Sequence, residues 1–310
     1  MILYVTIAIE RITKMTKPFD LFAAFQEIDD STMIKAKREE YQRAPFAYPG
    51  GKSKSLKNIL PHLPYRESYI EPFGGSGAVL IARRPSKLDV YNDRFAGVVA
   101  FYRCIQDSEK IMKLVNRLED TIHSREEFIW CRDTWNENIH DDVERAARWY
   151  YMTAYSFSSL GRNFGRSIKG DNQLTKKFHR HVLEFDKIHA RMKHCLIENQ
   201  DWRNILEDFD NHDAIFYLDP PYMDAYTGTY KDEIKPQDHK DMLNKVFAMD
   251  GFVAVSGYPN TLYDSFDWDE RHTWDVIVSV KPMAFHAENR KDKPELRNNA
   301  NEVLWIKKER

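Results

Sequence analysis

The tetrapeptide Asp219-Pro220-Pro221-Tyr222 combines a carboxylate, a rigid backbone and an aromatic ring directly after the apolar run Ala214–Leu218. That run is predicted to be a buried strand, and in open α/β sheets ligands bind beyond the carboxyl ends of the strands. Consecutive prolines fix the backbone, so the Asp219 carboxylate and the Pro220 carbonyl become two acceptors at a fixed spacing. Two acceptors match the two N–H donors of a planar amino group, and Tyr222 offers a face on which a nucleobase can stack. The alternative is a surface loop that the prolines stiffen.

A glycine-rich turn, Glu71-Pro-Phe-Gly-Gly-Ser-Gly77, follows the predicted strand Ser68–Glu71 and leads into the predicted helix Ala78–Arg83. Glycines allow the backbone to approach a ligand closely and to adopt positive φ angles. The spacing differs from the G-x-G-x-x-G of dinucleotide-binding folds, which disfavours a nicotinamide cofactor. The turn therefore suits a nucleoside cofactor without a pyrophosphate, or it is a tight strand-to-helix turn that binds nothing.

Asp93 lies just beyond the next predicted strand, Leu88–Tyr91. An acidic residue at this place can accept hydrogen bonds from both hydroxyls of a ribose. It can equally cap the helix predicted from Phe95 to Gln106. Its order after the glycine-rich turn favours the ribose.

The segment Pro45-Phe-Ala-Tyr-Pro-Gly-Gly-Lys52-Ser has the ending of a phosphate-binding loop, but Phe46 stands where that loop needs its first glycine. A nucleotide-phosphate site is therefore excluded. A Gly-Gly turn flanked by Tyr48 and Lys52 can instead bind the amino-acid end of a cofactor, with Lys52 at its carboxylate. A solvated turn before a helix is the alternative.

Short β-branched and aromatic runs alternate with helical patterns, which predicts βαβ units and a mostly parallel sheet. The predicted strands are Ser68–Glu71, Leu88–Tyr91, Cys195–Glu198, Ala214–Leu218, Phe252–Ser256, Asp275–Val280 and Glu302–Ile306. The predicted helices between them are Lys54–His62, Ala78–Arg83, Phe95–Gln106 and Gln237–Met249.

The alternation is interrupted once, and this interruption defines the predicted domains. Residues 41–107 and 195–310 form the α/β domain, and residues 108–194 are an inserted helical module. One helix of the module is predicted to begin with the capping box Ser124-Arg-Glu-Glu127. Residues 1–40 are a separate N-terminal extension.

Charge is balanced overall and uneven along the chain. The formal net charge is −2, but from Gly161 to Arg203 ten Lys and Arg residues stand against five acidic residues. A basic segment on a neutral protein is consistent with a surface that faces nucleic acid, although a solvated basic face has the same composition.

The three cysteines, Cys104, Cys131 and Cys195, have no paired metal-ligand spacing, so no metal site is expected and a reducing compartment fits. The apolar stretch from Met1 to Ile9 is far too short to span a membrane and lacks the layout of a signal peptide. The sequence therefore predicts a cytoplasmic protein without a membrane partner.

Taken in order, these segments resemble the Dam-like DNA adenine-N6 methyltransferases, the D12 class or α group. The resemblance runs from about Pro45 to Ile306 and includes Phe252-Val-Ala-Val-Ser-Gly-Tyr258 and Asn301-Glu-Val-Leu-Trp-Ile306. Asn199-Gln-Asp-Trp202 is similar to the element that lies beside the cofactor adenine, and Ser156–Arg166 is similar to the target-recognition segment. Tyr48 stands where the family often has a Trp, which keeps an aromatic face but loses the indole N–H.

The resemblance implies a Rossmann-like α/β fold that uses S-adenosylmethionine and carries a helical target-recognition module. It implies methylation of N6 of an adenine flipped out of double-stranded DNA, without an obligatory protein partner. The residues it assigns to catalysis are Asp219, Pro220, Pro221 and Tyr222. Those it assigns to the cofactor are Tyr48, Gly51, Lys52, Glu71, Phe73, Gly75, Gly77, Asp93, Asp201, Trp202 and Asp219, and those it assigns to DNA are Arg162, Asn163, Arg166 and Lys169.

Three other functions fit the same core. One is methylation of RNA, and another is methylation of cytosine N4, because two acceptors serve any exocyclic amine. The third is a catalytically silent DNA-binding relative, which the intact Asp219, Tyr222 and glycine-rich turn disfavour.

Overall fold

The computed structural model describes residues 42–137, 139–159, 161–166, 172–223, 234–277 and 299–310. The predicted N-terminal extension and the predicted DNA-binding residue Lys169 lie outside the described residues. The described residues between 42 and 310 form one compact unit.

Across the described residues, seven strands form one sheet. They are β1 (Ser68–Glu71), β2 (Leu88–Asn92), β3 (Leu196–Glu198), β4 (Ala214–Leu218), β5 (Phe252–Gly257), β6 (Glu270–Ile277) and β7 (Asn299–Lys307). Their order is β3-β2-β1-β4-β5-β7-β6. The first five are parallel, whereas β7 is antiparallel to both of its neighbours.

The strand order reverses between β1 and β4, which pair in parallel from Ser68↔Ala214 to Ile70↔Phe216. From β1 the chain continues outward to β2 and β3, and it then returns to place β4 on the other side of β1. The loops after β1 and β4 therefore leave the sheet at the same edge and diverge. This topological switch point is where open α/β sheets bind ligands.

The helices cover the sheet and fill the insertion. They are α1 (Leu56–Ile59), α2 (Ala78–Ala82), α3 (Ala96–Gln106), α4 (Ser108–Glu119), α5 (Arg125–Thr134), α6 (Asp142–Ala154), α7 (Gln173–Val182), α8 (Phe185–Met192), α9 (Trp202–Asp208), α10 (Pro236–Ala248) and α11 (Thr261–Asp264). Short 3₁₀ turns occupy Lys52–Lys54, Leu60–His62 and Phe157–Ser159. None of the helices in the described ranges is long and apolar enough to cross a membrane.

Helix α3 joins the sheet to the inserted helices. Val98, Phe101 and Ile105 recur at helical spacing and are completely buried. Gly97 allows α6 to approach closely, because a Cβ at this position would lie 2.3 Å from the ring of Trp149. Helices α4 to α8 follow α3 and precede β3 along the chain, and the division into an α/β domain and an inserted module stays a prediction. Ser124 caps α5 by accepting a hydrogen bond from the Glu127 N–H at 3.0 Å.

Three predicted elements differ from the structure by more than one residue. The last strand, predicted over Glu302–Ile306, is longer and extends from Asn299 to Lys307 as β7. The helix expected over Lys54–His62 is broken into α1 and 3₁₀ turns, because Pro61 lacks an N–H and cannot continue an α-helical ladder. Strand β6 was predicted to begin at Asp275 but begins at Glu270, and residues 278–280 of the prediction lie outside the described residues. The polar residues at its start are held in a strand by antiparallel pairing with β7, from Glu270↔Ile306 onward. The remaining architecture confirms the predicted Rossmann-like α/β fold.

Candidate active site

Asp219 lies at the carboxyl end of β4 and is held by two other segments of the chain. The Lys52 ammonium donates to both carboxylate oxygens at 2.6 Å, and the Ser256 hydroxyl donates to Oδ1 at 2.9 Å. Burial raises the pKa of Asp219, while the contacts with Lys52 and Ser256 oppose that rise. The carboxylate is therefore fixed in position before any substrate is present.

Lys52 is only 3% exposed, and its ammonium also donates to the carbonyl oxygen of Gly50 at 2.8 Å. Burial alone would lower the pKa of Lys52, but Asp219 and Glu302 more than offset this, so its pKa is raised and the ammonium stays charged. The structure thus brings together Lys52, which the sequence assigned to the cofactor, and Asp219, which the sequence assigned to both catalysis and the cofactor.

Glu302, on β7, is a member of this network that the sequence analysis missed. It is 5% exposed and lies 3.4 Å from the Lys52 ammonium. Three further groups donate to its carboxylate: the Ser55 hydroxyl at 2.5 Å, the Tyr222 hydroxyl at 3.0 Å and the Trp274 indole N–H at 3.2 Å. The sequence contained one indication of this role: Glu302 is a charged residue at the start of Glu302–Ile306, the apolar run predicted as the last strand.

Tyr222 contributes both its ring and its hydroxyl. The hydroxyl donates to Glu302, and the Lys52 ammonium lies 5.1 Å from the ring centroid. Tyr258 packs edge-on against the ring at 4.5 Å, and these two tyrosines with Asn260 help to line a shallow pocket. Pro220 is buried and Pro221 is partly exposed. The two proline rings restrict the backbone between Asp219 and Tyr222, and the packing of Pro220 restricts it further.

The glycine-rich turn after β1 adopts the backbone geometry that only glycine tolerates well. Gly75 and Gly77 have φ angles of +50° and +61°, and Gly77 is the N-cap of α2. A Cβ on Gly75 would lie 3.1 Å from the ring of Tyr48, so the Tyr48 ring and this turn face each other closely. At Gly51 a Cβ would lie 2.9 Å from the Tyr48 carbonyl oxygen, to which the Gly51 N–H donates.

Asp93 connects the turn to the end of β2. Its two carboxylate oxygens accept the N–H groups of Gly75 and Phe95, each at 2.8 Å. Burial raises the pKa of Asp93 to about 6, although both hydrogen bonds lower it. The alternative role, capping of the next helix, is not observed: α3 begins after its N-cap Phe95 and has no side-chain capping bond, and the Asp93–Phe95 contact is a local turn before it. Binding of a ribose stays a prediction, and each carboxylate oxygen can still accept a second hydrogen bond.

Four other predicted cofactor residues lie around the same turn with different exposure. Glu71 is buried, accepts the Tyr69 hydroxyl at 2.5 Å, and has its pKa raised to about 8 by burial. Phe73 and Trp202 pack with ring centroids 6.3 Å apart. Asp201 caps α9 and forms an ion pair with Arg94 at 2.6 Å.

Three of the four predicted DNA-binding residues lie in the described part of the loop between α6 and α7. Arg162, Asn163 and Arg166 are exposed, and the loop is closed by a hydrogen bond from the Phe157 N–H to the Asn163 carbonyl at 2.8 Å. The Phe157 ring is 71% exposed, a feature that the sequence did not single out. An exposed aromatic ring beside two arginines is suited to contact with nucleic acid.

Comparisons with known proteins agree with this arrangement. A family model described as D12 class N6 adenine-specific DNA methyltransferase matches residues 48–275. The chain is 30% identical to the DNA N-6-adenine-methyltransferase of Escherichia phage P1 over 124 residues, which cover 40% of the chain and 16% of the relative. It is 25% identical to modification methylase StsI of Streptococcus sanguinis over 74% of the chain and 38% of the relative. It is 24% identical to the type II methyltransferase M.CviBI of Paramecium bursaria Chlorella virus NC1A over 71% of the chain and 85% of the relative.

The matches to the first two of these relatives thus span well under two thirds of their lengths, whereas the family model spans most of this chain. The matched range begins at Tyr48 and includes the glycine-rich turn, Asp93, the inserted helices and the Asp219 tetrapeptide. The chain belongs to the D12 class of N6 adenine-specific DNA methyltransferases.

Proposed function

We propose that the protein transfers a methyl group from S-adenosylmethionine to N6 of an adenine that has been flipped out of double-stranded DNA. The observation that carries this proposal is the Asp219 carboxylate, fixed by Lys52 and Ser256 at the end of β4, beside the Pro220 carbonyl. The glycine-rich turn lies at the end of the adjacent strand β1, so cofactor and amine can meet at the switch point between the two strands.

The residues around the turn fit S-adenosylmethionine. The Tyr48 ring packs closely against the backbone of Gly75, where a Cβ would crowd it, and the Asp93 carboxylate can accept ribose hydroxyls. Phe73, which is partly exposed and packs against the buried Trp202, offers apolar surface for an adenine ring. When bound, the cofactor supplies a methyl group carried on a positively charged sulfur.

We assign Lys52 primarily to Asp219 and only secondarily to the cofactor carboxylate. An ammonium has three N–H donors, and here they face the Gly50 carbonyl and the two Asp219 oxygens. A cofactor carboxylate would have to take one of these donors. Lys52 instead holds the acceptor of the amine in place and in its charged form.

The chain's own groups would act on the amine in three ways. Asp219 and the Pro220 carbonyl accept its two N–H groups, which localises the lone pair that is otherwise delocalised into the ring. Tyr222 supports the extruded base, whose unstacking costs a few kcal/mol. Asp219 is also the nearest base for the proton that the methylated amine must release. Positioning and fixed charge would therefore supply the rate acceleration.

We further propose that residues 108–194 recognise the DNA target. The exposed residues Arg162, Asn163 and Arg166 are placed in one loop, and Lys169 extends the same basic segment. Arginine side chains hold phosphates and read guanine edges, and asparagine reads adenine.

The test is methyl transfer from labelled S-adenosylmethionine to duplex DNA, followed by digestion and mass spectrometry of the nucleosides. We expect N6-methyladenine, and we expect Asp219→Ala to reduce the rate by far more than about tenfold, a barrier change of about 1.4 kcal/mol. Structured RNA and a duplex without adenine are the comparison substrates. Methylation of RNA alone, methylation of cytosine alone, or an active Asp219→Ala variant would each contradict the proposal.

A further inference from the structure

His62, Glu270 and His272 form a cluster that shares no residue with the Lys52, Asp219 and Glu302 network. One potential ligand atom from each of the three lies within 4.8 Å of the others. The two imidazole rings stack with centroids 3.6 Å apart and planes 24° from parallel, and His272 Nε2 lies 2.9 Å from a Glu270 oxygen. All three side chains are partly exposed, so an ion from solvent can reach them.

The fold creates this cluster from two distant parts of the chain. His62 ends the 3₁₀ turn Leu60–His62, where Pro61 breaks the helix. Glu270 and His272 are two residues apart on β6, so they project from the same face of the strand. No short sequence motif announces such a site, which explains why the sequence analysis expected no metal.

We propose that these three side chains bind a divalent transition-metal ion of the zinc class. Two imidazoles and one carboxylate are a donor set that such ions use in proteins. Ligand atoms about 2.1 Å from a tetrahedral ion lie roughly 3.4 Å from one another, so the present spacing of up to 4.8 Å must close by about 1.4 Å at most. Turning the two imidazoles out of their stack directs their nitrogen lone pairs toward one point.

The site would clamp two segments that also hold the candidate active site. Trp274, the next residue on the same face of β6, donates to Glu302 and to Ser55. Ser55 and Lys52 lie on the segment that ends at His62. A metal that joins His62 to β6 would therefore hold together the two segments that carry Ser55 and Trp274, the donors to Glu302. It would also stabilise the folded protein.

Lys308 is the one competitor for the metal that the described residues show. Its ammonium lies 2.8 Å from the other Glu270 oxygen and neutralises part of the charge that would attract a cation. Removing this ammonium should therefore tighten metal binding, an effect that nonspecific surface binding would not produce.

The test is calorimetric titration of Zn²⁺ into the full chain, without an affinity tag and after treatment with a chelator. We expect one equivalent to bind to the wild type, with at least about tenfold weaker affinity in His62→Gln, His272→Gln and Glu270→Gln. We expect Lys308→Gln to bind more tightly. The matched control is His179→Gln, because His179 makes the same kind of contact with Glu119, at 2.9 Å.

Thermal unfolding provides the second readout, since a ligand that binds only the folded state raises Tm. Zn²⁺ at about a hundred times the wild-type Kd should raise the Tm of the wild type by about 5 °C and that of Glu270→Gln by about half as much or less. Failure of the wild type to bind Zn²⁺ would overturn the proposal. Binding that is equally tight in the three ligand variants would overturn it as well, because the ion would then lie elsewhere.

Discussion

Tyr222→Phe separates the two contributions that this residue can make to catalysis. The substitution keeps the ring for stacking and removes only the hydroxyl that donates to Glu302 at 3.0 Å. If stacking were the whole role, the variant would be nearly as active as the wild type. The hydrogen bond to a buried carboxylate predicts a measurable loss, because the hydroxyl fixes the ring relative to Lys52 and Asp219.

The size of the loss follows from what Glu302 retains. A hydrogen bond to a charged group contributes about 1.5–3 kcal/mol. Glu302 keeps the Ser55 hydroxyl, the Trp274 N–H and the nearby Lys52 ammonium, so we expect the lower end of this range. About 1.5 kcal/mol corresponds to roughly a tenfold fall in kcat/KM. Tyr222→Ala should lose about 1–3 kcal/mol more, the contribution of one aromatic platform to base binding.

The assay is steady-state methylation of a duplex with a matched and with a mismatched target base, at saturating cofactor. A mismatched base costs less to extrude, so it should partly rescue Tyr222→Ala but not Tyr222→Phe. Glu302→Gln completes a double-mutant cycle. In that background Tyr222→Phe should cost much less, with a coupling of at least about 1 kcal/mol. Tyr258→Phe, which removes a hydroxyl from the ring packed edge-on against Tyr222, is the matched control.

Two results would refute this reasoning. Full activity of Tyr222→Phe would show that the hydroxyl contact has no part in catalysis and that the ring alone matters. Strictly additive effects of Tyr222→Phe and Glu302→Gln would show that the two residues do not act through their hydrogen bond.

Three further predictions concern the cofactor and DNA. Affinity for S-adenosylmethionine should fall by about tenfold per pH unit below about pH 6, because Asp93 becomes protonated there and can no longer accept two ribose hydroxyls as a carboxylate. In calorimetry, the cofactor affinity of Asp93→Asn should not change with pH over this range. Gly75→Ala should weaken cofactor binding more than Gly50→Ala, because both positions have positive φ but only the Gly75 Cβ would meet a neighbouring tyrosine ring. Neutralising Arg162 and Arg166 together should weaken DNA binding and reduce the slope of log affinity against log salt by about two units, with unchanged cofactor affinity in calorimetry.

Each of these predictions has an outcome that contradicts it. Cofactor affinity that is constant from about pH 8 to about pH 5 would remove Asp93 from the site. Equal losses in the two glycine variants would mean that backbone strain, rather than the space beside Tyr48, determines the effect. For the slope of log DNA affinity against log salt concentration, the contradicting results are no change in the arginine double variant, or an equal change in Arg132→Gln on α5. Either result would mean that the DNA contacts lie elsewhere.

The sequence predicts the position of the site well because its motifs follow buried strands. The bounds of β1 and β4 agree with the predicted runs Ser68–Glu71 and Ala214–Leu218. Parallel strands bring their carboxyl ends to one edge of the sheet, so residues after two adjacent strands must be neighbours. The adjacency of the glycine-rich turn and Asp219 follows from these two facts alone.

The partners within the site could not be predicted, because tertiary packing decides them. Lys52 and Asp219 are 167 residues apart, and nothing local to the Gly-Gly-Lys turn indicates that the ammonium faces inward. Glu302 is the first residue of the predicted run Glu302–Ile306, and a charged residue there ordinarily marks the exposed end of a strand, whereas β7 in fact begins at Asn299. The burial of Glu302 depends on donors from three other segments, which carry Ser55, Tyr222 and Trp274.

The arrangement of charge gives Glu302 a physical reason to be present. Lys52 alone would neutralise Asp219, and a neutralised carboxylate is a weaker acceptor for an amine. Glu302 shares the ammonium at 3.4 Å, so the buried group of one cation and two carboxylates keeps a net negative charge. Such a group costs stability, since desolvated charges that are not fully paired are unfavourable. In the proposed reaction positive charge develops on the amine that Asp219 contacts, so fixed negative charge there stabilises the transition state more than the ground state. Under the proposed function, the second carboxylate would therefore contribute to catalysis without touching the substrate.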